Sequence, residues 1–192
     1  GGKLKSFNKA SVSDISGVIN IFAIESGLAI VARNTWAALK AKKQIEINWD
    51  EGQDARLDSE KIRKDLLDAS KEKGGVVRKE GNVKKALKSS ENQIEATYES
   101  PLQAHATMEP MNCTAFVQRD KCQVWAGTQN PNGARKIASK ITGLSKKQVE
   151  VNVTFLGGGF GRRAFNDFVT EAVEISNEIK KPVKMIWNRE ED

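Results

Sequence analysis

The sequence predicts an α+β protein, and three observations carry that reading. Val149, Val151, Val153 and Phe155 alternate with Glu150, Asn152 and Thr154, the period of a half-buried strand. Phe165, Phe168, Val169, Ala172, Val173, Ile175 and Ile179 then recur at helical spacing. The first 50 residues alternate short strand-like and helix-like runs in the order β-α-β-β-α-β, which builds a sheet with helices on one face.

Taken in order, residues 4–7 form a short strand, and Ser11 and Ser13 start a helical stretch that stops at Gly17. Residues 18–25 and 28–33 are rich in Val, Ile and Phe and are parted only by Ser26-Gly27, the pattern of paired strands. Thr35 caps a helix through Trp36, Ala37, Leu39 and Ala41; Ile45, Ile47 and Trp49 alternate as another strand. A helix over 58–73 shows a narrow apolar face of Ile62, Leu66 and Leu67 and ends at Gly74-Gly75. Residues 76–90 are basic and polar, with a short helix at 82–87, and read as a connection. Ile94, Ala96 and Tyr98 alternate with charge and predict a strand over 93–100. Strands at 114–118 and 122–126 flank the Arg119-Asp120-Lys121 turn, a helix over 134–141 closes at Gly143, and 182–187 forms the last strand.

Composition narrows the function classes. The 192 residues carry 31 basic and 25 acidic side chains for a net charge of +6, with the two signs interleaved, as in Lys71-Glu72-Lys73. Such interleaving and the few aromatics argue against a nucleic-acid partner. No stretch reaches the length of a membrane span, and the first residues lack the apolar core of a signal peptide. The chain begins without Met and reads as a piece cut from a longer protein, so the compartment stays open between periplasm and cytoplasm. Cys113 and Cys122 lack companions for a zinc site and read as two small buried hydrophobes.

Three loops carry unusual composition: 103–113, 127–133 and 157–163. The last places Gly157-Gly158-Gly159 between a strand and a helix, an arrangement that offers backbone N–H groups to an anion, with Arg162 and Arg163 beside it. Neither the dinucleotide-binding G-x-G-x-x-G nor the phosphate loop G-x-x-x-x-G-K-[ST] fits, because Arg162 and Arg163 stand where glycine or lysine is needed. His105 is the sole histidine, and a solitary histidine is more often structural than catalytic. Glu109, between Met108 and Pro110, is either a buried carboxylate of raised pKa or an acceptor for backbone N–H groups. Gln129 offers a neutral amide that orients an oxo group or pterin edge, or organises its own loop. No metal-ligand cluster, Ser-His-Asp set or close carboxylate pair is found.

The order of three motifs goes further. Met108-Glu109-Pro110-Met111-Asn112-Cys113-Thr114-Ala115, Trp125-Ala126-Gly127-Thr128-Gln129-Asn130-Pro131 and Leu156-Gly157-Gly158-Gly159-Phe160-Gly161-Arg162-Arg163 together resemble the large molybdenum-binding subunit of the xanthine oxidase family. The nearest branch is that of the bacterial isoquinoline 1-oxidoreductase beta subunits and related aldehyde dehydrogenases. Residues 1–49 resemble the α/β hammerhead domain of that subunit, and 182–191 its next strand.

The resemblance implies a hammerhead-like unit over 1–55, a helical connection over 56–92, and the first part of a molybdopterin-binding domain over 93–192. It implies that Gln129 bonds near the molybdenum oxo group, and that Gly158, Gly159, Phe160, Gly161, Arg162 and Arg163 approach the cofactor. Phe160 and Glu109 would then lie at the substrate pocket. The cofactor implied is molybdopterin, as a cytosine dinucleotide, with molybdenum; the partner implied is a small subunit carrying iron–sulfur clusters. The reaction implied is hydroxylation of an aldehyde or N-heterocycle carbon with water-derived oxygen. Ala164 stands where the xanthine oxidase branch has a substrate-binding Glu, so purine recognition through that carboxylate is not expected. The family's glutamate base is expected downstream of Asp192, which makes this polypeptide inert by itself. The competing reading is a non-enzymatic α+β module that binds phosphate or an acidic partner through the glycine loop.

Overall fold

The computed structural model describes residues 2–192, so Gly1 of the expected 1–55 unit lies outside the described residues. Residues 52–103 form one compact unit; residues 2–51 and 104–192 together form the other. The fold is α+β, as the sequence predicts.

In 2–51, β1 (Lys3–Asn8), β2 (Val18–Ile24), β3 (Gly27–Ala32), α1 (Thr35–Gln44) and β4 (Glu46–Asp50) follow one another. They do not make one sheet: β1 pairs antiparallel with β4, and β2 with β3, as two separate ladders. The helix expected after β1 is a single tight turn, Lys9–Val12. The cap of α1 is Asn34 and not Thr35: extended backbone there lets the Asn34 side chain accept the Ala37 N–H at 2.9 Å. Val12, Ile15, Ile21, Ala41 and Ile45 form a small core.

In 52–103, α2 (Ser59–Ser70) starts at Asp58, whose carboxylate accepts the Lys61 N–H, and α3 (Val83–Ser89) starts at Asn82 in the same way. Arg63 holds Glu99 through two bonds of 2.9 and 2.8 Å. The strand expected over 93–100 is not formed. Ile94 and Tyr98 are 97% and 92% exposed, because alternation supplies a face but no neighbouring strand edge is there to pair with it.

In 104–192, β5 (Asn112–Val117), β6 (Cys122–Ala126), α4 (Pro131–Thr142), β7 (Val149–Val153), α5 (Asp167–Ile179) and β8 (Val183–Ile186) form a four-stranded sheet in the order β7-β6-β5-β8. One face is dry: Cys113, Ala115, Val117, Val124 and Ala126 meet Phe168, Val169, Ala172 and Val173 of α5. Both cysteines are free and wholly buried, and burial pushes their thiols up to about 12 and about 11. Ser176 of α5 is polar and wholly buried; its hydroxyl accepts the Val117 N–H and donates to the Lys181 carbonyl. The β2–β3 hairpin leans on the same core through Phe22, Ile24, Ala29 and Val31. Its turn is held by Glu171, which accepts from Ser26 Oγ at 2.7 Å and from Trp187 Nε1 at 2.7 Å. Among the described residues no helix is long and apolar enough to cross a membrane.

Candidate functional site

The sheet brings four chain segments to one edge. β6 and β7 run parallel, so the loops that follow them, 127–130 and 154–166, leave the sheet on the same side. β5 runs antiparallel to both β6 and β8, with Cys113 opposite Ala126 and Asn112 opposite Ile186. The segment before β5 and the tail after β8 therefore arrive there too. Such carboxyl ends of parallel strands are where sheets of this kind offer ligand sites.

Arg163 ties the three loops together from inside. Its side chain has no exposed surface. Nε donates to the Gly158 carbonyl (2.7 Å), Nη1 to the Gly127 carbonyl (3.3 Å), and Nη2 to both the carbonyl (2.8 Å) and Oε2 (2.7 Å) of Glu109. The Arg163 carbonyl in turn accepts the Gln129 N–H at 3.0 Å. Each loop is thus bonded to the same residue, and a planar guanidinium with five donors is the side chain that can do this.

Glu109 completes the scaffold. Oε2 also accepts the Gly157 N–H (2.8 Å), and Oε1 accepts from Asn112 Nδ2 (2.9 Å). Burial works against the carboxylate, but these bonds and the Arg163 charge outweigh it and hold its pKa below the ordinary value. Of its two predicted readings, the raised pKa is overturned and the backbone acceptor stands. Both oxygens are engaged by the chain itself, so Glu109 braces the loops. Close approach makes Gly157 obligatory: a Cβ there would lie 2.4 Å from Glu109 Cβ.

The two arginines are held by groups of the chain itself. Neither guanidinium is available to an anion, since Arg163 is spent on the loops and Arg162 on carboxylates. Arg162 bonds Asp167 at 3.0 and 3.0 Å and Asp192 at 3.2 Å, and lies 5.1 Å over the Trp187 ring. The sequence cannot distinguish a basic pair that faces a ligand from one that faces its own loops.

What the loop tip does offer is backbone. The N–H groups of Gly158, Gly159, Phe160 and Gly161 donate to no group among the described residues. Phe160 adopts φ of 50° and Gly161 of 93°, both in the left-handed region. Phe160 carries that conformation without being glycine and is 76% exposed. The exposed amide of Gln129 lies against this tip: a Cβ on Gly159 would come 3.0 Å from Gln129 Oε1. Gln129 thus lies beside Gly159, the residue before Phe160. His105 is exposed, with Nε2 3.9 Å from where a Gly161 Cβ would be. Met108, Phe155 and Phe165 are also exposed on these loops.

Sequence reasoning missed the braces: Thr107, Asn112, Thr128 and Asn166. Thr107 and Thr128 are buried hydroxyls, the first donating to the Glu109 carbonyl and the second set between the Arg163 carbonyl and Asn166 Oδ1. Their only sequence signal is position within the three unusual loops.

A family model described as the molybdopterin cofactor-binding domain matches residues 69–192. The beta subunit of isoquinoline 1-oxidoreductase from Brevundimonas diminuta is 28% identical over 193 residues, covering 93% of this chain and 24% of that protein. One of the subunits of nicotinate dehydrogenase from Pseudomonas putida is 22% identical over 192 residues, covering 100% of this chain and 16% of that protein. Among solved structures, the aldehyde oxidoreductase from Desulfovibrio gigas aligns with a TM-score of 0.72 at 12% identity, over 97% of this chain and 25% of that one. Quinoline 2-oxidoreductase from Pseudomonas putida 86 aligns with a TM-score of 0.68 at 18% identity, over 99% and 30%. The chain spans about a quarter or less of the length of these two curated relatives.

Proposed function

Because this chain belongs to the molybdopterin cofactor-binding domain family, we propose that it supplies one wall of the cofactor site in the large subunit of a molybdenum-dependent hydroxylase or dehydrogenase. The observation that carries the proposal is the row of four free N–H groups at Gly158, Gly159, Phe160 and Gly161 beside the exposed Gln129 amide. Such a row fits an oxygen-rich, anionic ligand, and a Cβ on Gly159 would press on the Gln129 amide. A phosphate module has use for the N–H row but none for Gln129 and Phe160 beside it.

In this reading the bound group supplies two-electron oxidation of a carbon centre, with the added oxygen coming from water. Gln129 orients an oxygen through its amide N–H, and the 158–161 backbone donates hydrogen bonds without a net charge. Phe160 presents an apolar wall to an aldehyde or N-heterocycle substrate. Arg163 and Glu109 keep the three loops at fixed separation, and no proton moves on either. We further assign a cytosine dinucleotide form of the pterin, electron transfer to a separate iron–sulfur subunit, and a hammerhead-like 1–55, helical 56–92 and cofactor-binding 93–192 organisation. The expected base lies downstream of Asp192, so this polypeptide alone is inactive.

The test is an assay for molybdenum and pterin on this polypeptide and on the chain extended downstream, both expressed with molybdenum and the maturation machinery. Cofactor in the extended form, reduced by Gln129→Ala, is the expected result. Absence of cofactor from both forms overturns the proposal in favour of a phosphate-binding module.

A further inference from the structure

The end of the sheet remote from the glycine loop carries a second feature. Cys122 and Val149 begin β6 and β7 where Ala126 and Val153 end them, about 13 Å away at strand rise. Around this far end residues 119–150 hold seven basic side chains, Arg119, Lys121, Arg135, Lys136, Lys140, Lys146 and Lys147, against the acidic Asp120 and Glu150. α4 contains no acidic residue at all.

These residues do not merely decorate a convex surface. Lys121, Arg135, Lys146 and Lys147, with Asp120 and Glu150, line an open cleft of about 620 Å³. Lys121 is neutralised by Glu150 at 2.8 Å, but Arg135, Lys146 and Lys147 have no carboxylate partner among the described residues. The backbone carrying Lys146 and Lys147 is braced. Gly143 closes α4 with φ of 73°, Ser139 Oγ donates to the Leu144 carbonyl at 2.6 Å, and Ser145 Oγ donates to Gln148 Oε1 at 2.8 Å. Gln148 Nε2 donates to the Asp120 carbonyl at 2.9 Å, which locks this segment to the β5–β6 turn. Three unpaired cations on a fixed frame form a complementary surface for negative charge.

We infer that this cleft docks an acidic polypeptide surface of a separate partner chain. No aromatic side chain lines it, so bases would find nothing to stack on, and the two carboxylates in its wall would repel a continuous phosphate track. A protein surface tolerates such carboxylates, since it meets them with cations of its own. Two of the relatives are themselves named as subunits, which supports a partner outside this chain. The inference does not rest on cofactor binding.

The probe is a fluorescent oligoglutamate peptide titrated at low salt. Binding is expected to weaken about tenfold when Arg135, Lys146 and Lys147 are all changed to Glu, and to fall as salt shortens the screening length. Lys84→Glu, Lys85→Glu and Lys88→Glu together make the same charge change elsewhere and are expected to leave binding within about twofold. An equal loss in that control, or tighter binding of a thymidine oligonucleotide of equal charge, overturns the inference. So does loss of peptide binding in the downstream-extended chain, which would mean that the cleft is covered by the protein's own continuation.

Discussion

Arg163 concentrates the chemistry of the site loops in one side chain. Replacing it by Met would leave three carbonyls and a carboxylate without their donor, and unfolding by urea should show a loss of about 2–4 kcal/mol. Arg163→Lys should recover only part of this, because an ammonium cannot reach three loops with a planar fork. Its partner Glu109 has a pKa held below the ordinary value of 4.5, so its contribution to stability is present above that value and is lost as pH falls through the folded-state pKa. Urea titrations from pH 7 to pH 3 should therefore show Glu109→Gln less stable than the parent at neutral pH, with the gap closing in acid. That the three loops belong together is legible in the sequence as unusual composition; that Arg163 points inward is not. The direction of a guanidinium depends on where the carbonyls of Gly127, Gly158 and Glu109 come to rest, and they lie 36, 5 and 54 residues away.

Among the elements, β5, β6, α4 and α5 are legible because one face of each is apolar at the right period and one face of each is buried. The same alternation misleads where no partner strand exists. Phe155 continues the pattern of β7 yet stands fully exposed after the ladder ends at Val153, and residues 93–100 join no strand ladder. The junction of the β2–β3 hairpin with α5 is carried by Glu171, whose pKa is raised by burial against the hydrogen bonds from Ser26 and Trp187. An unfolded carboxyl titrates near the ordinary value of 4.5, so this group lowers stability progressively as pH rises from there through the higher folded-state pKa. Glu171→Gln should raise the melting temperature at pH 7 and flatten that part of the pH profile. Glu171→Ala, which leaves the Trp187 indole N–H without its acceptor, should lose about 1–2 kcal/mol at the same pH.

At the scale of the molecule, the two compact units differ in how much they bury. Residues 52–103 contain no buried side chain, whereas 2–51 and 104–192 share the dry sheet face. Limited proteolysis should cut first between residues 71 and 103, leaving the sheet and its helices resistant, and mass spectrometry of the first products checks it. The sheet core draws its hairpin from the beginning of the chain and its central helix from the end: Ser26 meets Glu171 across 145 residues. During synthesis Phe22, Ile24, Ala29 and Val31 leave the ribosome long before α5 exists to cover them. The hairpin must wait with its apolar face open, and this stretch is where a chaperone has most to protect.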